Sequence, residues 1–350
     1  MSKQYLTFHT IDDAHPSEIF ALAATADGVF SASGGSAIKI HRPPSSAVPV
    51  DGAPPPAAAA SADTAAVEIT KAHSHGCHHL AAGRGGPGKV LASAGFGQDA
   101  KIWIQSPDGD GGWKEHAVVR PWGGSAKSAG AGAGAARVWA VALSADEQFL
   151  ACSSEAGKVA VWDVVAGRAV HLYETAASGA AEGSFGMCVD LSPDGRFAAS
   201  GHASGTVYVF NNDSGRLIYS LTGLSKPIRA VRFSPGGTRL AAAGDAGIIA
   251  IYDTRNGEHV ASLSPGPASA WVMSLDWSHT GEWLLSGSFD GRVRVWSVET
   301  GACVATHSES DQTIWAVRWL PKTPGRAPEG FCAAGARGAI TFYREASGSG

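Results

Sequence analysis

Between residues 19 and 343 the chain is written in short runs that alternate apolar and polar residues, each closed by a cluster of Gly, Asp or Ser. Helical 3.6-residue periodicity is absent. Period-two alternation puts successive side chains on opposite faces of an extended strand, and the clusters supply the turns. The clearest unit is WVMSLDWSHTGEWLLSGSFDGRVRVWSVETGACVATH, from Trp271 to His307, which reads as four strands in order, with Val293 and Val295 set against Arg292 and Arg294. Similar units start at Arg137, Phe185 and Ile228, and weaker ones at Ile19, Cys77 and Ile314.

The third strand of each unit ends at His41, Trp103, Trp162, Phe210, Tyr252, Trp296 and Tyr343, the last four intervals being 48, 42, 44 and 47 residues. A repeat of roughly 40–45 residues with four strands per unit is the signature of a radial array. Seven such sheets close best as a ring in which neighbours bury each other's faces and few edges stay exposed. The expected fold is therefore all-β: a seven-bladed propeller of four-stranded antiparallel sheets, forming a single domain over residues 1–350. The last unit stops at its third strand, while Lys3–Phe8 precedes the first unit with no sheet of its own. The N-terminal strand is expected to close the last blade, because exchange makes ladder hydrogen bonds that an open edge leaves unmade. The first two intervals, 62 and 59, are lengthened by Pro/Ala- and Gly/Ala/Ser-rich stretches within residues 42–72 and 105–136, which read as mobile loop insertions.

Trp162-Asp163, with the variants Trp296-Ser297, Tyr252-Asp253 and Phe210-Asn211, resembles the WD-repeat propellers over nearly the whole chain. The family's opening Gly-His survives only as Ala14-His15 and Ala72-His73, and its tight-turn Asp is well placed at Asp290 alone. The side-chain network of the family is thus expected to be incomplete in most blades, with apolar packing compensating. Within the family, AHPSEIFAL, SAWVMSLDWSHTGEWLLSGSFDGRVRVWSVETG and GAITFYREA resemble the WD-repeat subunit of superkiller (Ski) complexes of the fungal type. That resemblance implies a non-enzymatic scaffold, cytoplasmic and nuclear. Its implied partners are a tetratricopeptide-repeat protein and a DExH-type RNA helicase that feed messenger RNA 3′ to 5′ into the exosome. In fungi they include the topoisomerase-like protein that makes meiotic double-strand breaks. A chromatin- or transcription-elongation-associated adaptor is the alternative, and a propeller hydrolase a more distant one.

Charge narrows the partners. Net charge is −4, so the basic field needed for sequence-independent nucleic-acid binding is missing. Apolar runs fall short of a bilayer span, and the start MSKQYLTFHTIDD has no signal-peptide pattern, so neither a membrane nor secretion is expected. Five dispersed cysteines read as reduced, buried hydrophobes rather than disulfides. No phosphate-binding, zincin or nucleophile-elbow motif occurs, and GRGGPG at 83–88 sits between two strands as a hairpin loop. His73, His75 and Cys77 have metal-ligand chemistry and would share a face on one strand, yet no fourth ligand is evident, so no metal or cofactor is expected. A closed ring gives no edge for self-association, and a monomer is expected.

Aligning the units places Phe20, His78, Trp139, Met187, Arg229, Met273 and Trp315 in a ring where the innermost strands begin, with Phe185 and Trp271 two residues earlier on the rim. Large aromatics, Met and Arg are the types enriched in interaction hot spots. Phe20, Trp139, Phe185, Met187, Arg229, Trp271, Met273 and Trp315 are therefore the expected partner-binding residues, an apolar anchor filling the mouth while Arg229 pairs with a carboxylate or carbonyl of the ligand. The mouth ring itself carries one His and no carboxylate, which disfavours catalysis. The aromatics ending the third strands recur blade by blade and are expected to pack structurally.

Overall fold

A computed structural model describes residues 4–42, 67–83, 88–97, 99–106, 112–122, 137–175, 183–266, 269–308, 311–322 and 329–346. Among them there is no helix, and the strands form seven four-stranded antiparallel sheets. Running outward from the channel, blade 1 holds β2 (Ile19–Thr25), β3 (Gly28–Ser33), β4 (Ile38–His41) and β5 (Val67–Ile69). Blade 2 holds β6 (Cys77–Ala82), β7 (Val90–Gly95), β8 (Ala100–Gln105) and β9 (Trp113–Val119). Blades 3 to 6 begin with β10 (Val138–Leu143), β14 (Gly186–Leu191), β18 (Ile228–Phe233) and β22 (Val272–Trp277), each followed by its next three strands in chain order.

The seventh sheet has the order β1-β28-β27-β26, from β1 (Tyr5–Ile11) on the outside through β28 (Ile340–Glu345) and β27 (Gly330–Gly335) to β26 (Ile314–Trp319). The N-terminal strand thus closes the last blade, in a register running from Tyr5 opposite Glu345 to Ile11 opposite Ile340. Two stretches that read as insertions also contain sheet: β5 lies within 42–72 and β9 within 105–136, as the outer strands of their blades. Most of the rest of both stretches lies outside the described residues.

Seven apolar clusters fill the seven spaces between neighbouring blades. The one joining blade 7 to blade 1 sets Ala316, Cys332, Ile340 and Phe342 against Ala14, Ile19, Leu22 and Val29, so the ring is closed by packing as well as by β1. Each fully buried Ile, Leu or Phe contributes ~1.5–3 kcal/mol. That exceeds the ~0.5–1.5 kcal/mol of one net hydrogen bond, so the blades tolerate gaps in their polar networks.

Those networks differ by blade. In blade 2 Trp103 Nε1 donates to Ser93 Oγ (2.8 Å), Ser93 Oγ lies 2.7 Å from His73 Nε2, and Asp99 accepts from His73 Nδ1 (3.0 Å). Asp99 is therefore a second well-placed turn aspartate, which the sequence alignment misses. In blade 6 Arg294, only 6% exposed, bonds Ser288 and pairs with Asp290. It lies on the face opposite Val293 and Val295 but is covered, because both faces of a blade are packed. In blade 3 Cys152 stands where Ser93 and Ser286 stand in blades 2 and 6, and the buried Trp162 Nε1 has no partner among the described residues.

Tight turns between second and third strands use glycine where no side chain fits. Gly205, at φ +83°, would bring a Cβ within 2.2 Å of the Leu224 carbonyl oxygen of the following segment.

Candidate partner-binding mouth of the channel

In every blade the innermost strand slips register by one residue against its neighbour at its second position, where Phe20, His78, Trp139, Met187, Arg229, Met273 and Trp315 sit. Each ring residue is thus the extra residue of a β-bulge. A bulge takes one side chain out of the strand's alternation and re-aims it. All seven line a single cavity of about 260 Å³ at one end of the channel.

Two arcs make up this mouth. The first is a chain of ring contacts across five blades: Trp315–Phe20 (5.9 Å between centroids), Phe20–Phe96 (5.5 Å), Phe96–His78 (4.6 Å), His78–Trp139 (4.3 Å) and Trp139–Phe185 (5.0 Å). The second belongs to blades 5 and 6. There the Arg229 guanidinium lies over Trp271, whose ring contacts Phe289 at 5.4 Å. Trp271 and Phe289 are 44% and 49% exposed, an unusual state for adjacent large aromatics.

Arg229 is already engaged by its own chain, through Nε to Asp245 Oδ1 and Nη2 to Asp245 Oδ2 (3.1 Å). The carboxylate expected from a ligand is thus supplied internally, and the guanidinium is stacked on an indole. Trp315 Nε1 likewise donates to Glu18 Oε2 at 2.8 Å. The mouth therefore carries two carboxylates that the ring alignment omits, each neutralised or hydrogen-bonded in place.

Phe96, Asp245 and Phe289 share one repeat position that sequence reasoning passed over, the first residue after the second strand. Their backbone N–H groups donate to the carbonyls of Gly76, Pro227 and Trp271, each two residues before a ring residue. Aligning the units one residue beyond Gly95, Gly244 and Ser288 would have found all three.

The histidines serve packing. His78 donates from Nε2 to the Trp139 carbonyl (2.8 Å), and burial lowers its pKa to about 4, so it sits in the aromatic arc as a neutral ring. His73 spends both nitrogens on Asp99 and Ser93, and the buried Cys77 thiol donates to the His79 carbonyl. Only Cys77 of the three candidate ligands is on a strand, so they do not share a strand face, and no group of three or more possible ligands occurs among the described residues. The third-strand aromatics Trp103, Phe210, Tyr252, Trp296 and Tyr343 are buried in the interblade clusters.

Deeper in the channel, the fifth position of the inner strands reads Ala23, Ala81, Ala142, Asp190, Arg232, Asp276 and Arg318 around the ring. Three small residues are followed by acid, base, acid, base. Asp190 accepts from Arg232 Nη1 (3.3 Å) and the Phe233 N–H (2.8 Å), and Asp276 accepts from the Trp319 N–H (2.8 Å), so each acid ties its blade to the next.

Comparison with known proteins agrees with this architecture. The WD domain, G-beta repeat matches residues 131–163, 183–211, 215–253 and 257–297, which lie along blades 3 to 6. The chain is 35% identical over 348 residues to meiotic recombination protein rec14 of Schizosaccharomyces pombe, covering 99% of both chains. It is 34% identical over 157 residues to antiviral protein SKI8 of Saccharomyces cerevisiae, covering 39% of each, and 35% identical over 127 residues to small ribosomal subunit protein RACK1z of Arabidopsis thaliana, covering 31% of this chain and 38% of that one. With seven closed blades and a relative matched end to end, the chain belongs to the WD-repeat propeller family and is a scaffold-type protein related to rec14 and SKI8.

Proposed function

We propose that the protein is a non-enzymatic adaptor that captures linear segments of partner proteins in its aromatic mouth. The observation that carries this reading is the set of seven bulges, which turn one residue from every blade toward one cavity and make most of them aromatic, Met or Arg. Such side chains in a partly open site are the composition of a hot spot. Phe20, Trp139, Met187, Arg229, Met273 and Trp315 are its lining residues, and Phe185 and Trp271 its rim.

The full-length relationship to a meiotic recombination protein and the partial one to SKI8 support two assemblies. One joins a tetratricopeptide-repeat scaffold and a DExH-type helicase to exosome-mediated 3′–5′ mRNA decay in the cytoplasm. The other serves formation of meiotic double-strand breaks in the nucleus with a topoisomerase-like partner. Purifying the tagged protein from vegetative and meiotic native extracts, with Trp315→Ala in parallel, tests this reading. Recovery of those partners with wild type and their loss with the variant is expected. Recovery of neither set, or equal recovery with the variant, overturns it.

A further inference from the structure

The two ends of the glycine-rich stretch at 83–88 meet one side chain of the neighbouring blade, Glu147. Glu147 lies in the turn between β10 and β11 (Phe149–Ser154), at a position held in blades 2, 4, 5 and 6 by Gly88, Gly195, Gly237 and Gly281, with φ of +68°, +70°, +67° and +74°. Glu147 takes the same left-handed conformation, at φ +62°. The turn demands it, and of these five blades only blade 3 meets the demand with a side chain. A Cβ makes that conformation costly, so the side chain has a use elsewhere.

Its contacts show the use. Glu147 is 5% exposed and crosses into blade 2, where Oε1 accepts the Gly88 N–H (2.8 Å) and Oε2 the Lys89 N–H (3.3 Å). In blades 3 to 6 the N–H at this turn position donates within its own turn, to the carbonyl of Ser144, Ser192, Ser234 or Ser278. In blade 2, where the connection from β6 to β7 is longer, the Glu147 carboxylate takes that donor. Gly83 makes room for the crossing, since a Cβ there would lie 2.4 Å from Glu147 Cγ. One carboxylate thus clasps both ends of the hairpin. Gly83, Gly88 and Ala145 also line a cavity of about 460 Å³ at the end of the channel opposite the mouth, so the clasp sits on the edge of that cavity.

We propose that Glu147 is an acid-releasable latch: ionised, it fixes the β6–β7 hairpin of blade 2 to blade 3, and protonated it lets the hairpin go and loosens this edge of the lower cavity. A neutral carboxyl accepts hydrogen bonds more weakly than a carboxylate, so protonation removes the charge-assisted part of both bonds. Burial raises the Glu147 pKa above its ordinary value, against the opposing N–H bonds of Gly88, Lys89 and Val90, so release comes in milder acid than an exposed glutamate needs. Among the described residues, the charged groups on the elements around it are Asp146 on its own turn, which adds to the rise, Lys89 at the start of the next strand, and Asp27 on the blade 1 turn beyond Gly88. The end of β6 brings none, closing in Ala82 and Gly83.

The test uses the full-length protein labelled with ¹⁵N and ¹³C. From neutral pH downward, the Gly88 and Lys89 amide resonances are expected to shift together with the Glu147 carboxyl carbon, identified by its loss in Glu147→Gln, on one titration curve centred above pH 4.5. Gly237 and Gly281, whose N–H groups bond backbone carbonyls, stay unmoved, and in Glu147→Gln the Gly88 and Lys89 resonances no longer follow that curve. Glu147→Gly restores the residue that four other blades carry, and it is expected to lower the hydrogen-exchange protection of Gly88 and Lys89 by about tenfold or more while sparing Gly237 and Gly281. Amides of Gly88 and Lys89 that ignore the Glu147 titration, that titrate equally in Glu147→Gln, or that keep their protection in Glu147→Gly overturn the proposal.

Discussion

The Arg229 guanidinium carbon lies 4.9 Å from the centre of the Trp271 ring, while the same guanidinium holds Asp245. A cation over an indole contributes ~0.5–2 kcal/mol, and the ion pair fixes the stack in place. Arg229→Ala is therefore expected to weaken capture of a partner segment by about tenfold, and adding Trp271→Ala to cost less than the sum of the single changes. A double-mutant cycle by calorimetry measures the coupling, and strict additivity argues against a shared subsite.

Trp315 combines an aromatic face toward Phe20 with an N–H bond to Glu18. If the face does the binding, Trp315→Phe retains most of the affinity, whereas Trp315→Ala loses more than ~2 kcal/mol, as truncated hot-spot aromatics do. Equal losses in the two variants would assign the effect to Glu18 instead.

Tyr5 is buried in blade 7 against Phe331 (5.1 Å) and Trp319 (6.0 Å). Truncating such an aromatic costs about 3–5 kcal/mol. Deleting residues 1–9 removes this anchor and most of the ladder to β28, so a marked drop in Tm is expected from calorimetry. An unchanged Tm would show that the strand is dispensable.

Cys152 occupies the place from which Ser93 and Ser286 accept the indole N–H of Trp103 and Trp296. Cys152→Ser is expected to give the buried Trp162 N–H an acceptor and raise stability by about 0.5–1.5 kcal/mol in urea unfolding. A loss of stability would mean that desolvating the hydroxyl outweighs the bond.

Acid should weaken the fold through its buried histidines. Burial chiefly, with Lys39 and His41 adding, lowers His15 from 6.5 to about 4, and burial lowers His78 to about 4. Because the folded state holds both rings neutral, their contribution is complete above pH 6.5 and declines as pH falls toward 4, where the folded forms begin to protonate. Thermal melts across that interval are expected to show Tm falling with pH, less steeply in His78→Gln. A flat profile would contradict the burial of these rings.

Strand alternation and the repeat interval are legible in the chain because they are local: period two and turn chemistry are set by neighbours a few residues apart. The exchange of the N-terminal strand is long-range, yet it is legible from counting, a last unit one strand short and a spare strand ahead of the first. The ring of Phe20, Trp139, Met187, Arg229, Met273 and Trp315 was legible because repetition puts equivalent positions at equivalent places. What those residues touch was not. Asp245 meets Arg229 across a hairpin, and Glu18 meets Trp315 across 297 residues of chain, a contact that exists only because blade 7 closes on blade 1. Arg294 reads as a solvent-facing residue opposite Val293 and Val295, but in the ring it is buried. The acid–base alternation in the channel is written in four separate strands. It becomes a wall only when ring closure brings those strands side by side, a long-range relationship that no local pattern encodes.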